Sequence, residues 1–314
     1  MNLLSSLRYL VALQEHRHFG RAAKACHVTQ PALSNALRAL EAEFGVAIVR
    51  RDRAFVGFTL EGERVLASAQ RMMHEHAFLQ EALRGDAQTP TGTLRMGAVP
   101  TALPIAARFA AQLQAKHPGI VPVVLSMSSL MLEQGLQDLS IDIALGYTDR
   151  MDLVVGRLTA LPQYVEHYFL VRRALRPQVE GMQIGEATTW QAAAALPLCL
   201  LTQDMHNRTI VDAAFASVGA VPQPAIETNS ILTMALSVVE GAVSSVLPGA
   251  LVSVVRSYRE LEALPLHSPH TQTPIGFMSH ASVRPTRALE AALVLAQDNA
   301  WLQHASAHSG LLKS

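Results

Sequence analysis

Charge is scarce in this chain. Of its 314 residues, 16% are Asp, Glu, Lys or Arg, against 50% hydrophobic. That balance excludes a largely disordered chain. It leaves enough apolar area for two or three folding units of roughly 100–200 residues each. An excess of either sign is missing too, with 25 basic and 25 acidic side chains, which does not fit a wholly basic nucleic-acid coat protein. Cysteine is almost absent. Cys26 and Cys199 cannot build a disulfide framework, and they fit a reduced, cytoplasmic setting. No basic stretch followed by an apolar core opens the chain, so no signal peptide is expected. The stretch 231–255 carries only one charge, Glu240, but Gly241, Pro248 and Gly249 interrupt it. A spanning helix needs about 20 predominantly apolar residues, so helix, strand, helix is the expectation there, and no membrane partner.

Catalytic signatures are also missing. There is no G-x-S-x-G elbow, no P-loop and no G-x-G-x-x-G after a strand. His74 and His76 are two apart on a helix and diverge. His304 and His308 have ligand spacing, but no Cys or acid of the tail completes a site. No enzyme activity, cofactor or metal is expected.

What is present is an uneven distribution of charge. Residues 1–60 hold eight basic and four acidic side chains, a net of +4, which leaves −4 on the remainder. A basic head on an acidic body is the layout of a nucleic-acid-binding module joined to something else. Leu4, Leu7, Leu10, Val11 and Leu13 cluster on one face of a helix over 2–15. A short Ala-rich helix follows over 20–26. Thr29 can cap a third helix over 31–44, with Pro31 in its first turn and Gly45 at its C-terminus. Short helix, tight turn, second helix is a helix-turn-helix arrangement, and 47–59 reads as a two-stranded wing. Over 61–84, Val65, Ala69, Met72, His76, Leu79 and Leu83 recur in steps of four and three, which is coiled-coil spacing. Residues 85–92 are a linker by composition.

From Thr93 strands and helices alternate, which implies parallel sheets with helices on both faces. Two such sets suggest two lobes with a cleft between them, where ligands favour the carboxyl ends of strands. The domains expected are 1–60, a head; 61–92, a pairing helix and hinge; 93–303, a body; and 304–314, a tail. Lobe I covers about 93–162 and 270–303, and lobe II about 163–269. Pro100 and Thr101, Ser128 and Ser129, Thr202 to Arg208, and Thr228 and Asn229 each end a strand and open a helix. Free N–H groups at several helix starts in one cleft favour an anion, and His206, Asn207 and Arg208 add a candidate positive group. Each residue alone could equally be a helix cap. Four such turns together point to a pocket for a small carboxylate or oxyanion.

The run His18-Phe19-Gly20-Arg21-Ala22-Ala23, then His27-Val28-Thr29-Gln30-Pro31-Ala32-Leu33-Ser34, then Leu37, Leu40-Glu41, Phe44-Gly45-Val46, Arg50-Arg51 and Leu60-x-Gly62 resembles the DNA-binding head of LysR-type transcriptional regulators. The match is dense over the head, and length, linker helix and two-lobed body agree with it. The resemblance implies a winged helix-turn-helix joined to an α/β body like a periplasmic solute-binding protein. It also implies a homotetramer assembled as a dimer of dimers, and a small effector bound between the lobes. It places Arg21 and Pro31 in the DNA-binding motif. Helix 31–44 would lie in the major groove. Gln30 and Asn35 carry amides able to pair with adenine, Ser34 reaches a base or phosphate, Thr29 suits a phosphate and Arg38 the backbone. Arg51 and Arg53 on the wing suit a narrow minor groove. Many family members carry a basic or other long side chain where Asn35 stands, so the preferred half-site cannot be copied from a relative. The alternative is a small-molecule-binding protein or enzyme whose N-terminal helices only oligomerise; binding of upstream DNA separates the two.

Overall fold

Helix starts in the first quarter of the chain are set by side chains that accept from orphan backbone N–H groups. The computed structural model describes residues 2–51, 55–83, 89–149 and 157–309. Arg53, residues 84–88 of the expected linker and residues 310–314 of the expected tail lie outside the described residues, and of Arg51 only the backbone is described. The chain divides into two compact units, Met1–Gln88 with Gln137–Ser140, and Thr89–Leu136 with Ile141–Ser314.

In the head, Asn2 caps α1 (Leu3–His16), accepting from Ser5 N at 3.1 Å. His18 caps α2 (Phe19–Ala25): its Nδ1 accepts from Gly20 N at 3.0 Å and Arg21 N at 3.3 Å. Thr29 Oγ1 accepts from Ala32 N at 3.3 Å and starts α3 (Gln30–Phe44). Gly45 ends α3 at φ 67°, a left-handed conformation that favours glycine. The wing is β1 (Val49–Arg51) antiparallel to β2 (Phe55–Phe58). Glu41 Oε1 ties its base to α3, accepting from Ile48 N and Val49 N, both at 3.0 Å. Leu10 and Leu13 of α1 and Leu33, Leu37 and Leu40 of α3 are completely buried and form the core with Ile48 and Phe58. The long α4 (Leu60–Leu83) joins that core through Leu66 and Ala69. The helix expected to pair subunits over 61–84 therefore spends its first half on the head's own core. Further along, Met72, Leu79 and Leu83 are 51%, 53% and 77% exposed.

The body opens with β3 (Gly92–Ala98), the 3-10 turn η1 (Pro100–Ala102), α5 (Leu103–Lys116), β4 (Ile120–Ser126), α6 (Ser129–Asp138) and β5 (Ile143–Tyr147). It continues through β6 (Leu158–Arg173), β7 (Gln183–Ile184), β8 (Thr188–Thr189), α7 (Trp190–Ala194), β9 (Leu198–Leu201), α8 (His206–Ser217) and β10 (Ile226–Thr228). Then follow α9 (Ile231–Glu240), β11 (Ser244–Pro248), α10 (Gly249–Val254), β12 (Leu261–His267), β13 (Gln272–His280), α11 (Arg287–Ala296) and α12 (Asn299–Ala307).

One lobe is built on the parallel set β4-β3-β5 and the other on the parallel set β10-β9-β11. Between them β6 and β13 run antiparallel to each other and belong to both lobes. β6 is a single strand of 16 residues, Leu158–Arg173. Polar residues and Pro162 disguise the first half of β6. Pro162 has no N–H for the ladder, and it sits beside the register shift at Ile275/Gly276 of β13, where an irregularity tolerates it. The expected tail from 304 is part of α12, anchored by buried Trp301 and Ala305.

Candidate nucleic-acid interface and inter-lobe pocket

The outward face of the head is made by the start of α3. Gln30, Pro31, Asn35 and Arg38 are exposed and Ser34 is half-buried, while Leu33, Leu37 and Leu40 point inward. A helix places residues three and four apart on one face, so capping the helix at Thr29 brings these polar side chains together. Arg38 Nη1 donates to Asn35 Oδ1 at 3.4 Å, which leaves the Asn35 amide N–H groups to donate outward. Thr29 is exposed and its hydroxyl oxygen is engaged in capping. Arg21 on α2 and Arg50 on the wing are exposed as well.

In the body a small cavity of about 10 Å³ lies between the lobes. Pro100, Thr101, Ser128, Ser129, His206 and Asn207 line it together with Val99, Tyr147, Leu201 and Met205. Three helix starts meet there: η1 at Pro100, α6 at Ser129 and α8 at His206. No side chain caps the start of α8, so its dipole end faces the space. Thr101 Oγ1 and the Tyr147 hydroxyl share a 2.8 Å hydrogen bond. Asn207 Nδ2 donates across the lobes to the Tyr147 oxygen at 3.2 Å and to the Tyr168 oxygen at 3.3 Å. The His206 ring meets Tyr147 edge-on, with centroids 4.8 Å apart. Burial pushes the Tyr147 phenol well above the usual tyrosine range, so it enters any contact here as a neutral hydroxyl.

The other expected pocket residues lie elsewhere. Arg208 is buried, and its guanidinium is spent within lobe II, donating to Glu227 Oε1 at 2.6 Å, Asp212 Oδ1 at 2.8 Å and Leu201 O at 2.7 Å. Burial opposes its charge, but the two carboxylates outweigh that and hold its pKa above the ordinary value. Thr228 Oγ1 accepts from Ser230 N at 3.1 Å as a turn cap, and Asn229 is exposed. Thr202 is half-buried, its hydroxyl oxygen without a hydrogen-bond partner. None of these four lines the cavity. Tyr147 does, and sequence reasoning passed over it. It stands at the carboxyl end of β5, the very place where ligands favour parallel strands.

Among the described residues no three His, Cys, Asp or Glu are placed to hold a metal, and no helix is long and apolar enough to cross a membrane.

Comparison with known proteins is concordant for both units. Residues 4–63 match the bacterial regulatory helix-turn-helix protein of the lysR family, and residues 87–301 match the LysR substrate binding domain. The chain is 29% identical over 285 residues to the DNA-binding transcriptional dual regulator OxyR of Escherichia coli K12, covering 88% of each chain. It is 43% identical over 101 residues to a hydrogen peroxide-inducible genes activator of Pectobacterium carotovorum, covering 32% of this chain and 33% of that one. A solved full-length OxyR variant from Pseudomonas aeruginosa superposes with a TM-score of 0.70 at 25% identity, covering 93% of this chain and 96% of that one.

Proposed function

The chain belongs to the LysR family of DNA-binding transcriptional regulators that respond to small-molecule effectors, and we propose that its effector is a small carboxylate or oxyanion held between the lobes. The observation that carries this is the meeting of three helix starts, two of them without a side-chain cap, on a space lined by hydroxyl and amide donors. Among the described residues no Lys or Arg lines it, and of these the neutral donors Thr101, Ser129, Tyr147, Asn207 and backbone N–H groups would hold the anion. The cavity as it stands is water-sized. An effector therefore enters only when the lobes part, and the closed form is then stabilised by contacts from both sides.

Hydrogen peroxide, which the names of several relatives carry, suits this body less well. Peroxide acts on proteins through accessible thiolates. The body holds one cysteine, Cys199, which is completely buried and whose thiol burial pushes upward.

On the DNA side, Gln30, Ser34 and Asn35 read bases, with Arg21, Thr29 and Arg38 positioning the head on phosphates and Pro31 shaping the first turn of the reading helix. Arg51 and Arg53 enter a minor groove. The assembly is a homotetramer in the cytoplasm without enzymatic activity. Two separate apolar surfaces support a dimer of dimers. One is the outer half of α4. The other is on the body, where Val121 of the edge strand β4 and Leu232 of α9 are 59% and 68% exposed. A gel shift with the DNA upstream of the protein's own coding region tests the DNA reading. Binding that does not discriminate that DNA from random duplex overturns it.

A further inference from the structure

The crossing between the lobes contains a buried acid that DNA and effector binding do not use. Glu166 of β6 is 0% exposed and lies opposite Thr273 of β13, where the two shared strands pass from one lobe to the other. Tyr164, Glu166 and Tyr168 alternate on one buried side of β6. The Tyr164 hydroxyl donates to Glu166 Oε1 at 3.4 Å, and Glu166 Oε2 has no hydrogen-bond partner. Next to it runs a chain of hydrogen bonds that joins the lobes: Thr101 to Tyr147, Tyr147 to Asn207, Asn207 to Tyr168, and Tyr168 to Thr273 at 3.1 Å. Asn207 uses both its amide hydrogens, one toward each phenol, so parting the lobes breaks its bond to Tyr147.

We propose that Glu166 is a proton lock on the inter-lobe cleft: protonated, it permits the closed, hydrogen-bonded arrangement, and on losing its proton it drives the lobes apart. A buried carboxylate needs a cation or several donors. Here the titratable groups that act on it or its neighbours are Tyr164 and Tyr168 on its own strand and Tyr147 on β5. Beyond them, Asp149 acts on Tyr168 and His206 packs on Tyr147. The two acids in this set carry the same sign, and the phenols are kept neutral by burial. Among the described residues only Tyr164 reaches the carboxyl with a hydrogen bond. Water admitted by opening is the solvent that an ionised Glu166 lacks when the cleft is closed.

The sign follows from linkage. Burial pushes the Glu166 carboxyl up to about 8 from 4.5, against a smaller lowering by Tyr164. The closed form therefore holds its proton more tightly than an opened, hydrated form. Its advantage is complete below the carboxyl's ordinary range and is lost as pH rises toward about 8, by up to about tenfold in the closed-to-open ratio per pH unit.

The proposal rests on the cleft being the effector site only for its regulatory meaning, since its test needs no effector. Hydrogen–deuterium exchange of amides 144–147 and 207–211 is followed in the full chain and in Glu166→Gln, from pH 6 to pH 9. The ratio of wild-type to variant rates cancels the intrinsic pH dependence of exchange. That ratio should climb by up to about tenfold per pH unit and level off near pH 8. A ratio flat across the range overturns the proton lock and leaves the effector reading standing. Should Glu166→Gln not fold, Tyr164→Phe removes the one hydrogen bond that lowers the carboxyl's pKa. It should move the levelling-off to higher pH, and an unmoved profile overturns the lock equally.

Discussion

Two side chains in the head show how a single position is decided by what surrounds it. Asn35 is exposed on the face of α3, and its carbonyl oxygen accepts from Arg38 with one lone pair, keeping the second for a base. A bidentate amide–adenine pair contributes roughly 1–3 kcal/mol of base discrimination. Asn35→Ala should therefore weaken the cognate operator more than random duplex, as measured by titration at one salt concentration. Equal loss on both would mean that the side chain touches only the backbone. Gly62 is determined differently. A Cβ there would stand 2.1 Å from the Ile48 carbonyl oxygen, and backbone on both sides leaves no flexible atom to give way. Gly62→Ala should destabilise the head by about 1–3 kcal/mol or more, seen as a lower melting temperature with weakened operator binding. The motif Leu60-x-Gly62 was legible in the sequence, but its reason was not, because the close approach of α4 to the chain before β1 is a tertiary fact. The His18 cap was illegible for another reason. Ser, Thr, Asp and Asn lead at helix starts, and an imidazole acceptor is outside that expectation.

Elements were most legible where one periodicity ruled. The head's helices have a clean apolar face and strong caps, and the sequence reading places them within a residue or two. The inter-lobe strands were the hard case. β6 changes partners along its length, pairing β13 through its first part and β11 and β12 through its last. Its burial has no simple alternation, so neither a two-residue period nor a single apolar run marks it. Four of the ten expected pocket residues, Thr202, Arg208, Thr228 and Asn229, lie off the cavity because a turn after a strand predicts a cap as readily as a ligand contact. For α4 the steps of four and three predict a pairing seam along the whole helix, and its first half packs on the head core instead. Val65, Leu66 and Ala69 pack on the head core, while Met72, Leu79 and Leu83 stay exposed. Leu79→Glu puts a charge on the exposed half only, so the head should fold normally. If this half pairs two subunits, burying that charge is costly, and sedimentation should show a smaller species with weaker operator binding. Unchanged assembly in Leu79→Glu would leave the body surface as the contact that holds the oligomer.

At the scale of the whole molecule, a basic head on an acidic body separates two tasks electrostatically, and the inter-lobe site must attract its ligand without help from the head's charge. Among the described residues its lining holds no Lys or Arg, and Arg208 is neutralised by Glu227 and Asp212. Affinity for an anion therefore has to come from the uncapped start of α8 and from hydroxyl and amide donors brought together by lobe closure. Such a ligand binds a form closed around it, wider than the water-sized cavity seen here, and stabilises the fold by mass action, about 2.7 kcal/mol at a hundredfold excess over its Kd. In a chain whose second unit exceeds 200 residues that corresponds to a rise in Tm of several degrees, at about 2–4 °C per kcal/mol. The full chain, melted with a panel of small carboxylates and inorganic oxyanions, should show that rise for some members and none for their neutral amides or esters. Thr101→Val keeps the shape but removes the hydroxyl bonded to Tyr147, and most of the rise should vanish with it. Arg208→Ala should instead lower the starting Tm while leaving the ligand-induced rise in place, because its partners lie within lobe II. If only neutral or apolar compounds raise Tm, the site does not take an anion. If Arg208→Ala alone removes the response, the guanidinium leaves Glu227 and Asp212 to reach the ligand when the lobes part.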